Sequence, residues 1–506
     1  MSARFARNSF FATLAGVATA LGSFLSMVIV ARLLGPTQTG IIAYALWVAT
    51  LAVTVADFGI FQSLTRYMPE LTSGDDEDAA RGFAAYLLRP FLAFAVLGAA
   101  AFAWRGFEAD GPDPNALARI WWLIGLLFTT QLLASFGIGM LRGLQRFDAA
   151  AKLTLGSLVF QLCAVTAGAH LGGAEGALLG YCAGSLLPLT WVIQSLADPA
   201  AISPELRRRT LRFALFAWAG ALTTTLVWSR LEVFFLQRYW GSHEVALFTV
   251  GFTFSNLASQ GPLLLTGGLL PYFAESYGRR ATDETRSAYA TATRVMAFLL
   301  FPSCLGLVAI LPALLPPIYG TAFAEAIPVA CVLVAGAAIG ATGSVGSQMI
   351  YAHERSDFIF ASGLVGAALS IAAGFLIVPQ YGMMGAALSR AAVHLVMVGA
   401  GSWFIQRRLG CPIPLGDLGR LLLAALLCAL AAHLCVSHIY DPLQSLPLAI
   451  GSGVIVYLGS VRMLGALPAQ DVARLRTLMG RFPGRMHAPL DALLALLVPR
   501  RGRARA

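Results

Sequence analysis

Fourteen apolar runs follow one another along this chain, each about 18 to 28 residues long. About 20 consecutive apolar residues cross the hydrocarbon core of a bilayer once as a helix. A helix also satisfies its own backbone hydrogen bonds, which lipid cannot do. The runs therefore predict an all-α polytopic membrane protein with about 14 transmembrane helices. The predicted spans are residues 9–34, 40–66, 83–104, 117–141, 152–171, 177–196, 211–238, 246–273, 290–315, 326–351, 358–378, 383–406, 418–436 and 446–463.

The composition excludes an ordinary soluble domain. Hydrophobic residues make up 58% of the 506 residues and charged residues only 12%, whereas a soluble globular protein has about 25% charged residues. The formal net charge is +10. Because the arginines lie in short gaps between apolar runs, we expect no nucleic acid among the partners.

The placement of the basic residues predicts the orientation of the chain. They collect at the N-terminus, in every even-numbered gap between spans and in the C-terminal tail, while the odd-numbered gaps hold only Arg105, Arg119 and Arg238. Basic residues favour the cytoplasmic side of a membrane. Both termini are therefore predicted to be cytoplasmic, in a multi-pass protein of a bacterial plasma (inner) membrane. The run that follows Arg4 and Arg7 is too long for a secretory signal and is predicted to be an uncleaved helix.

The sequence repeats itself weakly at an offset of 205 to 209 residues. Six predicted helices separate the two copies, and an even number gives both copies the same orientation, as in parallel transporter repeats. The matching pairs include Arg89 with Arg294, Tyr67 with Tyr272, Glu70 with Glu275, Arg146 with Arg355, Asp148 with Asp357, and Gly173 with Gly382.

The repeat predicts the domain organisation. An N-terminal six-helix lobe is expected over residues 1–197 and a C-terminal six-helix lobe over 198–409. Residues 410–464 supply two additional helices, 13 and 14, and residues 465–506 form a basic cytoplasmic tail. Two such lobes usually enclose a site near the bilayer midplane and rock around it.

Five segments carry a resemblance to a known family. They read ARLLGPTQTG, DFGIFQSLTRYMPEL, LRGLQRFDAA, RLEVFFLQRYWGSHEVALFTVGF and PQYGMMGAALS, at residues 31–40, 57–71, 141–150, 230–252 and 379–389. In this order they resemble the polysaccharide (lipid-linked oligosaccharide) flippases of the multidrug/oligosaccharidyl-lipid/polysaccharide exporter superfamily.

The resemblance implies a transporter that exports a lipid-linked oligosaccharide or polysaccharide precursor without ATP hydrolysis. In agreement, the sequence contains no Walker-type G-x-x-x-x-G-K-[ST] motif. The expected partners are a polyprenyl-pyrophosphate-linked glycan as substrate and the membrane lipids, with polysaccharide polymerase or assembly proteins as further candidates. We expect no enzymatic activity, no cofactor and no metal.

Three alternative functions remain open at this point. The chain could be a proton- or sodium-coupled exporter of small amphiphiles, of the multidrug type, or a lipid II flippase. A membrane glycosyltransferase or polymerase is disfavoured, because it would need a long periplasmic loop with carboxylates. The acidic loop TSGDDEDAA at 72–80 is predicted to be cytoplasmic instead.

Two carboxylates inside predicted spans are candidates for ion coupling, Asp57 and Glu232. A charged group in the bilayer costs about 2.5–3.5 kcal/mol on insertion scales, so each needs a physical reason. Asp57 is predicted to bind a proton or cation, or alternatively to cap a helix break at Asp-Phe-Gly. Glu232 is predicted to line a cavity, or alternatively to face a neighbouring helix or the periplasmic rim.

The predicted substrate site combines cationic and amide side chains. Arginine binds phosphate bidentately, which suits a pyrophosphate. The alternatives are snorkelling to the membrane surface for the helix-end arginines and a packing hydrogen bond for the histidine. Arg89 is expected at the surface and serves as a contrast. The candidate substrate-binding residues are Arg230, Arg390, His394, Arg32, Asn256 and Gln260.

Overall fold

Helix covers all or part of every predicted apolar run, and no strand occurs among the described residues. The structure is a computed structural model, and the all-α fold class is confirmed. Most of the basic tail, from residue 472 onward, lies outside the described residues. The residues that the structure describes are 3–72, 77–109, 114–196, 202–228, 230–263, 266, 269–279, 282–439, 441–468 and 471.

Two compact units divide the chain, Met1–Thr249 and Val250–Ala506. In the first unit α1 packs against α4 and α5, and α3 packs against α4. Large apolar side chains fill this contact, and Phe83, Phe91, Phe128 and Phe136 are fully buried. The helices of this unit are α1 (Ala3–Ala56), α2 (Ile60–Thr72), α3 (Glu77–Phe107), α4 (Pro114–Gly143), α5 (Phe147–Gly184), α6 (Leu189–Leu196), α7 (Pro204–Trp228) and α8 (Glu232–Tyr239); α9 (Ser242–Leu263) begins in it.

In the second unit α12 packs between α11 and α14, and the last two helices pack on each other and on α11. A short 3-10 helix, Thr321–Ala326, joins α11 to α12. The further helices of this unit are α10 (Leu269–Gly278), α11 (Thr282–Tyr319), α12 (Ile327–Ala352), α13 (Ser356–Leu376), α14 (Val378–Arg408), α15 (Leu415–His438) and α16 (Pro442–Leu464).

Ten described helices are long and apolar enough to cross a membrane. Two of them each contain one predicted span and part of the next, and both are interrupted between the two, α1 at Gly35 and α5 at Gly172 and Gly173. The seventh and eighth runs are not among the ten, and each is divided between two helices, α7 with α8 and α9 with α10. The number of fourteen crossings therefore stays a prediction.

The backbone supports the internal repeat. Gly173 and Gly382, 209 residues apart, have φ/ψ of 56/−135° and 53/−139°, and each interrupts a helix. Gln145 and Glu354, at the same separation, both have positive φ, 55° and 57°. A non-glycine residue with positive φ is uncommon, so its recurrence at matched positions indicates two structurally equivalent copies.

The compact units do not coincide with the predicted lobes. The contacts assign α7 and α8 to the first unit, where α7 lies against α1 and α2. The repeat instead begins its second copy at residue 198. The lobe boundaries at 197/198 and 409/410 therefore stay predictions about topology.

Candidate functional site

Arg390 and His394 lie one turn apart on α14 and are both buried, each with 8% of its surface exposed. The Arg390 guanidinium carbon lies 4.8 Å from the centre of the Phe252 ring on α9. The electron-rich face of an aromatic ring attracts a cation, and the attraction grows when water is excluded. This contact stabilises the guanidinium charge of Arg390 within the second unit.

The face of α9 that meets Arg390 continues as two amides. Phe252, Asn256 and Gln260 follow one another at intervals of four residues, so they lie on one side of the helix. Asn256 and Gln260 are exposed. Arg390 therefore contacts, through Phe252, the side of α9 that also carries Asn256 and Gln260. All three are predicted substrate-binding residues.

His394 is positioned by the contact between α12 and α14. A Cβ added to Gly340 would lie 2.9 Å from His394 Nδ1, so the missing side chain of this glycine makes room for the imidazole. Gly336 and Gly343 of α12 face Ala391 and Val398 in the same way. Small residues allow helices in a membrane to approach closely. This environment packs closely around the imidazole. A packing hydrogen bond from His394 and its role in substrate binding both stay predictions.

Asp57 lies at the break between α1 and α2. Its carboxylate accepts hydrogen bonds from the backbone N–H groups of Gly59 and Phe61, both at 3.1 Å. These donors open α2 and have no partner within the helix, which is the need that an N-cap residue meets. The capping alternative therefore describes the geometry of Asp57, and ion coupling through it stays a prediction.

The next two residues hold this break against α3 and α7. Phe58 has a φ of 45°, and its ring stacks between Phe94 and Trp218, with centroids 4.2 and 4.7 Å away. A Cβ at Gly59 would lie 2.2 Å from the backbone oxygen of Ala214. The sequence pattern predicts a break at Asp-Phe-Gly but not the packing of this joint.

Arg230 and Glu232 lie in the first unit, at the break between α7 and α8. Arg230 is half-buried and its backbone oxygen accepts a hydrogen bond from Val233 N at 3.0 Å. Glu232 begins α8 and is 7% exposed. Two residues after Glu232, Phe234 lies 6.5 Å from Trp47 of α1, measured between ring centroids.

Arg32 is exposed and lies one turn before the Gly35 break in α1. Its surface position fits the snorkelling alternative, and its role in substrate binding stays a prediction. Among the described residues, no group of three or more His, Cys, Asp or Glu side chains could hold a metal ion.

Comparison with family models shows which protein family this chain belongs to. The family model described as polysaccharide biosynthesis protein matches residues 5–277, more than half of the chain. The chain belongs to this polysaccharide biosynthesis family. A second model, of the lipid II flippase MurJ, matches residues 264–447. No curated protein matches the sequence at a significant level.

Solved structures share the fold of this family member. A lipid II flippase MurJ in an inward closed conformation superimposes with a TM-score of 0.72 at 13% identity, covering 89% of this chain and 98% of that one. An inward-facing multidrug resistance MATE family transporter of the MOP superfamily gives 0.66 at 14% identity, covering 81% and 95%. A MATE protein in complex with MaL6 gives 0.56 at 14%, covering 80% and 96%. At such identities the likeness concerns the fold.

Proposed function

We propose that this member of the polysaccharide biosynthesis family is a flippase for a lipid-linked oligosaccharide or polysaccharide precursor. It moves a polyprenyl-pyrophosphate-linked glycan across the bacterial inner membrane by alternating access and leaves the glycan chemically unchanged. Both termini lie in the cytoplasm, and the surrounding lipids and polysaccharide polymerase or assembly proteins are its partners.

The observation that carries this proposal is the buried guanidinium of Arg390. It lies in α14, a helix long and apolar enough to cross a membrane, and only 8% of the residue is exposed. Ionisable residues inside membrane helices mark substrate and ion pathways by default. Guanidinium recognises phosphate with two parallel hydrogen bonds, so a pyrophosphate-bearing lipid suits this site.

The residues around Arg390 support a substrate with both phosphate and sugar. Asn256 and Gln260 continue the α9 face that carries Phe252, and amides can both donate to and accept from sugar hydroxyls. Arg230, at the break before α8, is proposed as a second arginine for the pyrophosphate. His394 and Arg32 complete the proposed set.

Glycan export in cells, at matched protein levels, tests the proposal. Arg390→Ala removes hydrogen bonds to a charged group, each worth about 1.5–3 kcal/mol, and should lower export by about 10-fold or more. Arg390→Lys should restore only part of it, because lysine lacks the planar fork. Arg89→Ala is the matched control, since Arg89 is exposed on α3, and it should export normally. Export close to wild type from both Arg390→Ala and Arg230→Ala would overturn the proposal.

One observation favours a second candidate function, a proton- or sodium-coupled exporter of small amphiphiles. Glu232 is a buried carboxylate at a helix break, and buried carboxylates are suited to carry a coupling cation. Deleting the protein separates the two functions: the flippase predicts loss of surface glycan, and the exporter predicts sensitivity to cationic amphiphiles. Because the MurJ model matches residues 264–447, lipid II is the first alternative substrate to assay.

A further inference from the structure

Two aspartates distant in sequence meet at Arg294 of α11. Arg294 Nε lies 2.6 Å from Asp471 Oδ2, and Arg294 Nη1 lies 3.3 Å from Asp417 Oδ2. Thr291, one turn earlier on α11, donates a hydrogen bond of 2.7 Å to Asp471 Oδ1. Asp417 lies in the first turn of α15, and Asp471 follows α16, so one arginine contacts both ends of the appended helix pair.

Arg294 and Asp471 are largely shielded from water. The side chain of Asp471 is 2% exposed and that of Arg294 is 13% exposed. Charged pairs at such sites are costly to break, because removing one partner leaves the other charge buried and uncompensated. Both carboxylate oxygens of Asp471 are engaged, which fixes its orientation as well as its position.

We propose that Arg294, Asp417 and Asp471 form an ionic latch that fixes the α15–α16 pair to α11, so that the three helices move as one body. Apolar packing continues from the latch along the same helices, where Leu421 of α15 belongs to one buried cluster with Ala297 of α11. The α16 side adds a hydrogen bond, which Tyr457 donates to the backbone oxygen of Phe298 at 2.7 Å. The latch also anchors the start of the C-terminal tail.

The repeat supplies a matched control for this latch. Arg89 of α3 is the counterpart of Arg294 by sequence offset, but Arg89 is exposed. The first copy of the repeat is not followed by an appended helix pair. Replacing Arg89 therefore removes a comparable charge at an equivalent position without touching the latch.

Hydrogen–deuterium exchange of the full-length protein in lipid nanodiscs tests the latch. In Arg294→Ala and Asp471→Asn, the first turn of α15 and the last turn of α16 should exchange faster by about 100-fold, while α3 and α4 stay unchanged. The Arg89→Ala protein should exchange like the wild type. Unchanged exchange at the two turns, or an equal acceleration in α3 and α4, would overturn the latch.

Two further variants cover the case in which Arg294→Ala fails to fold. Arg294→Lys keeps the charge but loses the fork, and it should accelerate exchange at the same two turns by a smaller factor. The double variant Arg294→Lys/Asp471→Asn should exchange only slightly faster than the faster of its two single variants, because the effects of substituting contacting residues are not additive. Fully additive effects would mean that the two residues act independently, which contradicts the latch.

Discussion

Asp57 commits both of its carboxylate oxygens to the backbone at the start of α2. These two hydrogen bonds are a physical reason for a carboxylate within a predicted span, and they require no bound ligand. The carboxylate accepts from two N–H donors that the helix leaves unsatisfied. The same group could also carry a proton or cation during transport. The two roles predict different results when the charge and the capping oxygen are removed separately.

Substitutions at Asp57 separate the two roles. Asp57→Ser removes the carboxylate but retains an oxygen that caps a helix, whereas Asp57→Ala removes both and should cost about 1 kcal/mol of stability. If Asp57 couples transport to an ion, both variants should lose transport although Asp57→Ser melts normally. Glu232→Gln should likewise lose transport while inserting at a normal level. Transport and thermal stability are measured on the same preparations.

A matched control for these carboxylates is Glu205→Gln, because Glu205 is exposed in the first turn of α7. It should leave transport and melting unchanged. Undiminished transport in both Asp57→Ser and Glu232→Gln would remove these two residues from ion coupling. Asp57 would then have only its capping role.

At the scale of helices, a close backbone contact in the first unit lies inside α5. The break at Gly172 and Gly173 folds the second half of α5 back on the first, and the backbones meet at two glycines. A Cβ at Gly168 would lie 2.1 Å from Gly176 O, and a Cβ at Gly176 would lie 2.0 Å from Gly168 O. No side chain larger than hydrogen fits unless the two halves move apart.

We therefore expect Gly168→Ala to destabilise the protein by about 1–3 kcal/mol, the usual cost of overpacking. Gly399→Ala in α14 is the control, because nothing lies within 4 Å of its added Cβ. Alanine is the better helix former there by about 1 kcal/mol, so this control should be neutral or slightly stabilising. Thermal melting in detergent compares the two. Equal melting temperatures would contradict the close contact.

The joint at Phe58 illustrates what sequence reasoning misses at this scale. The Asp-Phe-Gly motif indicates a break, and capping of that break is one of the two roles predicted for Asp57. The positive φ of Phe58, however, is held by Phe94 and Trp218, and Trp218 is 160 residues away in sequence. Local pattern contains no information about such a distant partner.

At the scale of the whole molecule, the lengths of the apolar runs and the offset of the internal repeat predicted most of the fold. The runs gave the helices and the all-α class, and the repeat offset anticipated the shared conformation of Gly173 and Gly382. The burial of Arg294 could not be predicted in this way. The sequence around Arg294 resembles that around Arg89. The two arginines differ in exposure because Asp417 and Asp471, which are distant in sequence, contact Arg294 in the folded chain.

The predicted orientation leads to a direct test. A reporter that is active only in the periplasm should be active when fused after Gly173 or Gly382, because both follow an odd number of predicted spans. It should be silent when fused after Arg208 or Arg355, which lie in arginine-bearing gaps. Reporter activity at either arginine would contradict the fourteen-span topology.

The matched glycines at 173 and 382 also bear on the origin of this chain. Two residues that share an unusual left-handed backbone, 209 positions apart, point to descent from one ancestral segment that was copied in tandem. Because only glycine takes up this conformation without strain, mutation to any other residue is disfavoured in either copy. The copies have since diverged: Arg89 of the first copy is exposed, whereas Arg294 of the second contacts Asp417 of α15 and Asp471 beyond α16.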